Sequence, residues 1–263
     1  MHIEFLHLTV QGTLGTMKNT SQWKALSAAA VCLAALQTQA SETQIAPFSA
    51  AKTEQPPAPW RTVGVPGGKI PLTTFTVTEL DGQRVLRVEA LKSYGTLVHA
   101  LPRRTADPST QLSWRWRLDN GLQGTDLRQR SGDDSPLKVC VSFDLPLDKL
   151  GLIERSLLRF ARAASDEVLP SATLCYVWDA TLPPETLLPN AYTARVRMLV
   201  VTSGNQPLAR WVTQTRNVVA DFRTAFAGEF DSVPAITAVL VGGDSDNTGG
   251  HSIGYVDDVS LKP

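Results

Sequence analysis

Four arginines, two tryptophans and two runs of aspartates are the residues whose types and spacing could do chemistry. In Ser113-Trp114-Arg115-Trp116-Arg117-Leu118 aromatic and basic side chains alternate. An extended strand would therefore put Trp114, Trp116 and Leu118 on one face and Arg115 and Arg117 on the other. Arg195 and Arg197 repeat that spacing. If the two strands lie close, four guanidinium groups line one sheet face and grip an anionic ligand. The alternative pairs each arginine with a carboxylate of its own sheet. Trp178 and Trp211 offer flat faces on which sugar rings stack, unless the core consumes them.

Near the C-terminus Asp244-Ser245-Asp246-Asn247-Thr248-Gly249-Gly250 is followed by Tyr255-Val256-Asp257-Asp258. Hard oxygen donors on a glycine-bearing loop suit calcium, which takes six to eight oxygens in irregular geometry. Asp244, Asp246, Asn247 and Asp257 are the candidate ligands of a structural calcium. No glutamate closes such a site, and a tight turn with Asp and Asn bonded to the local backbone reads the same residues equally well. A second acidic turn, Gly132-Asp133-Asp134, raises the same choice. Beyond the first forty residues only His99 and His251 remain, too little for a Ser-His-Asp or zinc-hydrolase centre. No G-x-S-x-G, H-E-x-x-H or phosphate-cradling glycine loop occurs.

The elements that must position these residues read as strands. Thr73 to Leu80 and Gln83 to Leu91 flank Asp81-Gly82, the dipeptide of tight type I′ turns. Such a turn fixes register, pairing Glu79 with Arg84, Val77 with Leu86 and Phe75 with Val88 on the apolar face. Thr78 then faces Val85 and Thr76 faces Arg87 on the wetter one. Further strands are expected at Thr96 to Leu101, Gln111 to Leu118, Leu137 to Leu145, Ala172 to Asp179, Ala194 to Ser203, Leu208 to Thr215, Ile236 to Gly242 and His251 to Leu261. About ten strands with turn-rich loops predict an all-β fold, an antiparallel two-sheet β-sandwich of the jelly-roll kind. Two short helices interrupt it. Asp148 caps one with Leu150, Ile153, Leu157 and Ala164 on one face, and Val218, Phe222, Ala225 and Phe226 form the other, ended by Gly228.

The chain has 263 residues, 43% apolar and 19% charged, with a formal net charge of zero, as for one globular domain rather than a nucleic-acid-coating or disordered protein. Lys18 and Lys24 precede the apolar stretch Ala25 to Leu36, and Thr38-Gln39-Ala40 offers a cleavage site. That stretch is shorter than the roughly 20 residues that span a bilayer, so no stable membrane span is expected after cleavage. Residues 17–40 thus read as a signal peptide opened by Met17, and residues 1–16 as a mis-called start. The proline-bearing residues 41–59 are a leader or linker, strapped over the domain or mobile, and residues 60–263 a single domain. The expected location is periplasmic or secreted. Cys140 and Cys175 each sit in an apolar strand, where a disulfide or two buried thiols are both open.

With these residues in view, the chain resembles an uncharacterised bacterial exported family, domain of unknown function 3047. The match runs from about Phe48 to Leu261. It rests on Leu112-Ser113-Trp114-Arg115-Trp116, Gly132-Asp133-Asp134, Val141-Ser142-Phe143-Asp144, Tyr176-Val177-Trp178, Arg216-Asn217-Val218-Val219-Ala220-Asp221 with Phe226, and Asp244 to Gly249. The resemblance implies an exported β-rich protein and brings no activity, catalytic residue or ligand. More loosely, Gly254 to Leu261 looks like the last strand of jelly-roll carbohydrate-binding modules, many of which hold a structural calcium. The reading that follows is a non-catalytic binding protein for a glycan or other polar, anionic envelope ligand, with Arg115, Arg117, Arg195, Arg197 and Trp178 as its contacts. Two alternatives stand beside it. One is a glycan-acting hydrolase or lyase using the loop aspartates; the other is a structural envelope protein that binds a partner through the helix Lys149 to Ala164.

Overall fold

The computed structural model describes residues 45–65, 67–144, 171–205 and 208–263. Residues 1–44, with the expected signal peptide, and the expected helix within residues 145–170 lie outside the described residues. The described chain forms thirteen strands: β1 (Arg61–Val63), β2 (Thr74–Leu80), β3 (Gln83–Leu91), β4 (Tyr94–Arg104), β5 (Gln111–Asn120), β6 (Leu137–Asp144), β7 (Ala172–Asp179), β8 (Leu187–Pro189), β9 (Val196–Ser203), β10 (Val212–Asn217), β11 (Ala235–Asp244), β12 (His251–Val256) and β13 (Ser260–Lys262). One helix, α1 (Val218–Ala225), follows β10.

The strands make a seven-stranded sheet, in order β1-β4-β11-β6-β7-β9-β8, and a six-stranded sheet, β10-β5-β12-β3-β2 with β13 beside β5. The chain changes sheet at β1–β2, β3–β4, β4–β5, β5–β6, β9–β10, β10–β11 and β11–β12. That alternation is the winding of a jelly-roll sandwich. All pairs are antiparallel except β7 with β9, which run parallel.

Local chemistry accounts for much of this. The β2–β3 hairpin has the register expected from its turn, Glu79 opposite Arg84 through Thr74 opposite Glu89. Asp81 and Gly82 both take positive φ, 53° and 75°, as a type I′ turn demands. Arg84 reaches past Glu79 to donate to the Thr53 carbonyl. The expected strand His251 to Leu261 is broken at residues 257–259: Asp257 N–H still donates to the Arg115 carbonyl in register, but the pairing on β5 has slipped by one residue where β13 resumes. In α1, Asn217 caps the N-terminus by accepting from the Ala220 N–H at 2.9 Å. Its Phe222 then packs on Phe143, ring centroids 4.4 Å apart. The three-residue strands β1 and β8 are too short for periodicity to announce.

The core lies between the sheets. Trp114 and Trp116 of β5 meet Tyr176 and Trp178 of β7, with centroids 5.3 Å and 5.7 Å apart. Residues 45–59 also pack on the sandwich: Ile45, Phe48 and Ala51 are buried, and Phe48 stacks on Trp60. Cys140 and Cys175, directly opposite on β6 and β7, form a disulfide. It lies on the outer face of the seven-stranded sheet, in a second apolar cluster with Leu127, Leu182, Leu188 and Met198.

Candidate functional site

The outer face of the seven-stranded sheet carries a cavity of about 1100 Å³, within the size range of small-molecule sites. Strand registers lay its floor out in rows. Val98, Leu240, Cys140, Cys175 and Met198 are consecutive partners across β4, β11, β6, β7 and β9. Ala100, Ala238, Ser142 and Thr173 form the next row on one side. On the other side Thr96, Gly242 and Lys138 are partners, and beyond them Tyr94 faces Asp244. The floor is therefore apolar along its middle row, with small and hydroxyl side chains on one flank and the charged end on the other.

Three separate chain segments build the polar end. Residues 126–138 arrive by a tight loop in which Gly132 sits so close to Asp126 that a Cβ would meet its nitrogen at 2.6 Å. Only glycine lets the loop close there, and closure delivers Asp133 and Asp134. At the end of β11, Gly243 plays the same part: a Cβ would lie 2.7 Å from the Pro136 carbonyl. That approach allows Asp244 N–H to donate to Ser135 O at 3.0 Å, while Ser135 N–H donates to Asp244 Oδ1 at 2.8 Å. The third segment brings Asn190, which donates to Asp133 at 2.5 Å, and Tyr192, which donates to Asn247 Oδ1 at 2.7 Å.

Charge is concentrated here. One oxygen each from Asp134, Asp244 and Asp246 lies within 4.8 Å of the others, and Asp134 and Asp244 are 1% and 5% exposed. Asp134 accepts four hydrogen bonds: Thr248 donates from N and Oγ1 at 2.6 Å, and Asn247 from N and Nδ2 at 3.2 Å and 3.1 Å. Asp244 accepts from Lys138 Nζ at 2.6 Å as well as from Ser135. Burial alone would lower the Lys138 pKa, but the facing Asp244, with Tyr94 and Asp133, more than reverses this and holds the ammonium charged. Burial, with Asp244 and Asp134 adding repulsion against the pull of Lys138, raises the Asp133 carboxyl to about 6. Asp246 is raised by the same causes, burial first, and its Oδ1 is buried without a hydrogen-bond partner.

The sequence-predicted residues scatter around this site. Asp244, Asp246 and Asn247 do come together, joined by Asp134 rather than by Asp257. Asp257 pairs instead with Arg115 at 2.5 Å, on the six-stranded sheet. Asn247 spends its amide on Asp134 and its oxygen on Tyr192. The expected face of four guanidinium groups does not form, because the two arginine pairs fall in different sheets. Arg115 lies over the Trp211 ring and bonds Asp257 and Gln83. Arg117 bonds Asp119 and Asp81. Arg197 is held by the Ala225 carbonyl, Glu229 and the Phe226 ring. Of the four, only Arg195 borders the cavity, where it donates to the Ser171 carbonyl. Trp178 is no sugar platform: it is 2% exposed, with its N–H on the Gly204 carbonyl. Both sides of β7 are covered, so alternation along it could not separate an outward from an inward ring.

Tyr94, Lys138, Asn190 and Tyr192 carry no local motif. Lys138 alone left a signal, a single charge inside the apolar run Leu137 to Val141.

Comparison with known proteins adds a family and no ligand. Residues 58–260 match the family model described as "Protein of unknown function (DUF3047)". No curated protein sequence matches the chain. Among solved structures, the family 11 carbohydrate-binding module of the cellulase Lic26A-Cel5E of Clostridium thermocellum aligns at 9% identity and TM-score 0.40, covering 83% of this chain and 92% of that one. The xyloglucanase domain of NopAA from Sinorhizobium fredii aligns at 9% identity and TM-score 0.43, covering 77% and 92%. The K3 adhesin domain of Lys-gingipain from Porphyromonas gingivalis aligns at 12% identity and TM-score 0.35, covering 84% and 99%. Scores this low transfer nothing from those proteins to this one.

Proposed function

We propose, from the premise that the chain belongs to the DUF3047 family, that it is an exported, non-catalytic protein that binds a glycan-type ligand of the cell envelope on the outer face of the seven-stranded sheet. The observation that carries this is the cavity itself, about 1100 Å³ and edged by hydroxyl and amide groups of Tyr94, Asn190, Tyr192 and Asn247. Tyr192 is 53% exposed, and with Arg130 over one face of its ring the other is the face proposed to stack on a sugar. Export is supported by the disulfide, which persists in oxidising compartments. A non-catalytic role is supported by the engagement of Asp134 and Asp244 in structural bonds. Affinity electrophoresis in gels cast with soluble polysaccharides tests the reading. Retardation on at least one, lost in Tyr192→Ala, is expected; free migration in all of them would contradict it.

Asp133 and Asp246 both line the cavity, which favours a glycan-acting hydrolase or lyase as a second reading. Release of new reducing ends from a retarding polysaccharide, abolished by Asp133→Asn, would select it over the first.

A structural calcium is proposed for Asp134, Asp244 and Asp246. The unpartnered buried oxygen of Asp246 fits a cation, whereas Lys138 already supplies one positive charge to Asp244. Calcium there would tie the β11–β12 loop to residues 133–135. A ligand that binds only the native state raises the thermal midpoint. Calcium added to ion-stripped protein should therefore give a saturable rise that Asp246→Ala abolishes. No shift up to millimolar calcium would leave the lysine as the sole countercharge.

A further inference from the structure

We infer that the ligand of this cavity is a neutral amphiphile, with a sugar-like head at the Tyr94–Asp133 end and a hydrocarbon chain laid across the apolar floor. The inference rests on the reading of the cavity as a binding site and narrows its ligand. A glycan alone fits the polar end but not the rest. The middle row, Val98, Leu240, Cys140, Cys175 and Met198, offers no hydrogen-bonding group stronger than sulfur. Sugar hydroxyls placed on it would lose water without replacement partners. Leu127 and Leu188 pack with the β7–β9 part of this row. Towards β4 it opens, with Val98 and Leu240 half-buried and Ala100 exposed. Cys140, Cys175 and Met198 are buried, so the chain lies on the open side of the cavity, among Val63, Val65, Val98, Ala100 and Leu240.

Charge selects the head. Among the described residues that line the cavity, Arg61, Lys138 and Arg195 are balanced by Asp133, Asp244 and Asp246. Lys138 is already committed to Asp244 at 2.6 Å. In ion-stripped protein a carboxylate or phosphate head brought to the polar end would meet Asp133 and Asp246 with no uncommitted lysine, so the probes are titrated into that form. A neutral polyhydroxyl head meets acceptors on those carboxylates and donors on the second amide hydrogen of Asn190 and the Tyr94 hydroxyl.

The test is calorimetric titration of the purified protein with dodecyl maltoside below its micelle concentration, with maltose, and with dodecanoate. Saturable binding of one dodecyl maltoside per chain is expected, with affinity rising about three- to fourfold per methylene from octyl to dodecyl. Ala100→Trp, on the exposed part of the floor, should weaken binding at least tenfold. Thr213→Trp, on the exposed face of the other sheet, should leave it unchanged. Maltose binding as tightly as its dodecyl glycoside would overturn the amphiphile inference while sparing the glycan reading. Dodecanoate binding equally well would overturn the neutral head. Failure of all three probes to bind would overturn the inference, and the polysaccharide gels then decide independently whether the cavity reading survives.

Discussion

His99 shows how one side chain sets a condition on the fold. Its Nε2 accepts the Ala46 N–H at 3.0 Å and its Nδ1 contacts the Ala100 carbonyl at 3.1 Å, so the neutral ring with hydrogen on Nδ1 satisfies both. Trp60 packs edge-on against it, with its own N–H on the Ala46 carbonyl at 2.8 Å. Burial pushes the His99 pKa below the ordinary histidine value, outweighing the opposing backbone groups of Ala100 and His99 itself. The unfolded chain takes up a proton near pH 6.5, the folded chain only at lower pH. His99 thus costs no stability above that pH and drains it progressively as pH falls through the window below. Asp133 and Asp246, raised by burial, pull the other way in the same window, so the comparison is a difference: as pH falls from about 6.5 to 5, the unfolding free energy of His99→Gln should gain on that of the wild type. Lys138 sets a second condition, because removing it strands the buried carboxylate of Asp244. Lys138→Met should cost about 3–5 kcal/mol in chemical denaturation, and adding Asp244→Asn should recover a large part of it. A loss no greater than in an exposed surface lysine would contradict the pairing.

At the scale of elements, the strands that line the cavity are pinned to one another by a covalent tie. The Cys140–Cys175 bond links partners 35 residues apart in sequence. Closing a loop of that length stabilises a native state by about 2–4 kcal/mol. The double variant Cys140→Ser and Cys175→Ser should lose that amount in equilibrium unfolding under non-reducing conditions, with the loss greatest in the protection of β6 and β7 amides from hydrogen exchange. The β2–β3 hairpin was readable residue by residue because Asp81-Gly82 fixes its register locally and every pair follows by counting. Helix α1 was readable for a similar reason, with its apolar stripe and glycine stop all within a dozen residues. The arginine strands were not. Alternation put Arg115 and Arg117 on one face of β5, but Arg195 precedes β9 and borders the cavity while Arg197 turns to Ala225 and Phe226, and the crossovers put the two pairs in different sheets.

Over the whole molecule, the class of fold was legible because strand periodicity and turn residues repeat along the chain, while the site was legible only in fragments. The two acidic turns stood out by composition, yet their meeting depends on Gly132 and Gly243 permitting backbone approaches that no spacing reveals. The cavity floor was invisible, since its rows combine one residue from each of five strands. What the whole fold creates, then, is an outer sheet face with an apolar middle row and a charged end, and that face is where a ligand is proposed to sit. Hydrogen–deuterium exchange of the protein with and without a retained saccharide or alkyl glycoside tests this most directly. The account predicts added protection confined to β4, β11, β6 and the segments around Asp133, Tyr192 and Asp246. Protection on the opposite sheet, around Arg115, Arg117 and Trp211, with the cavity strands unchanged, would contradict it.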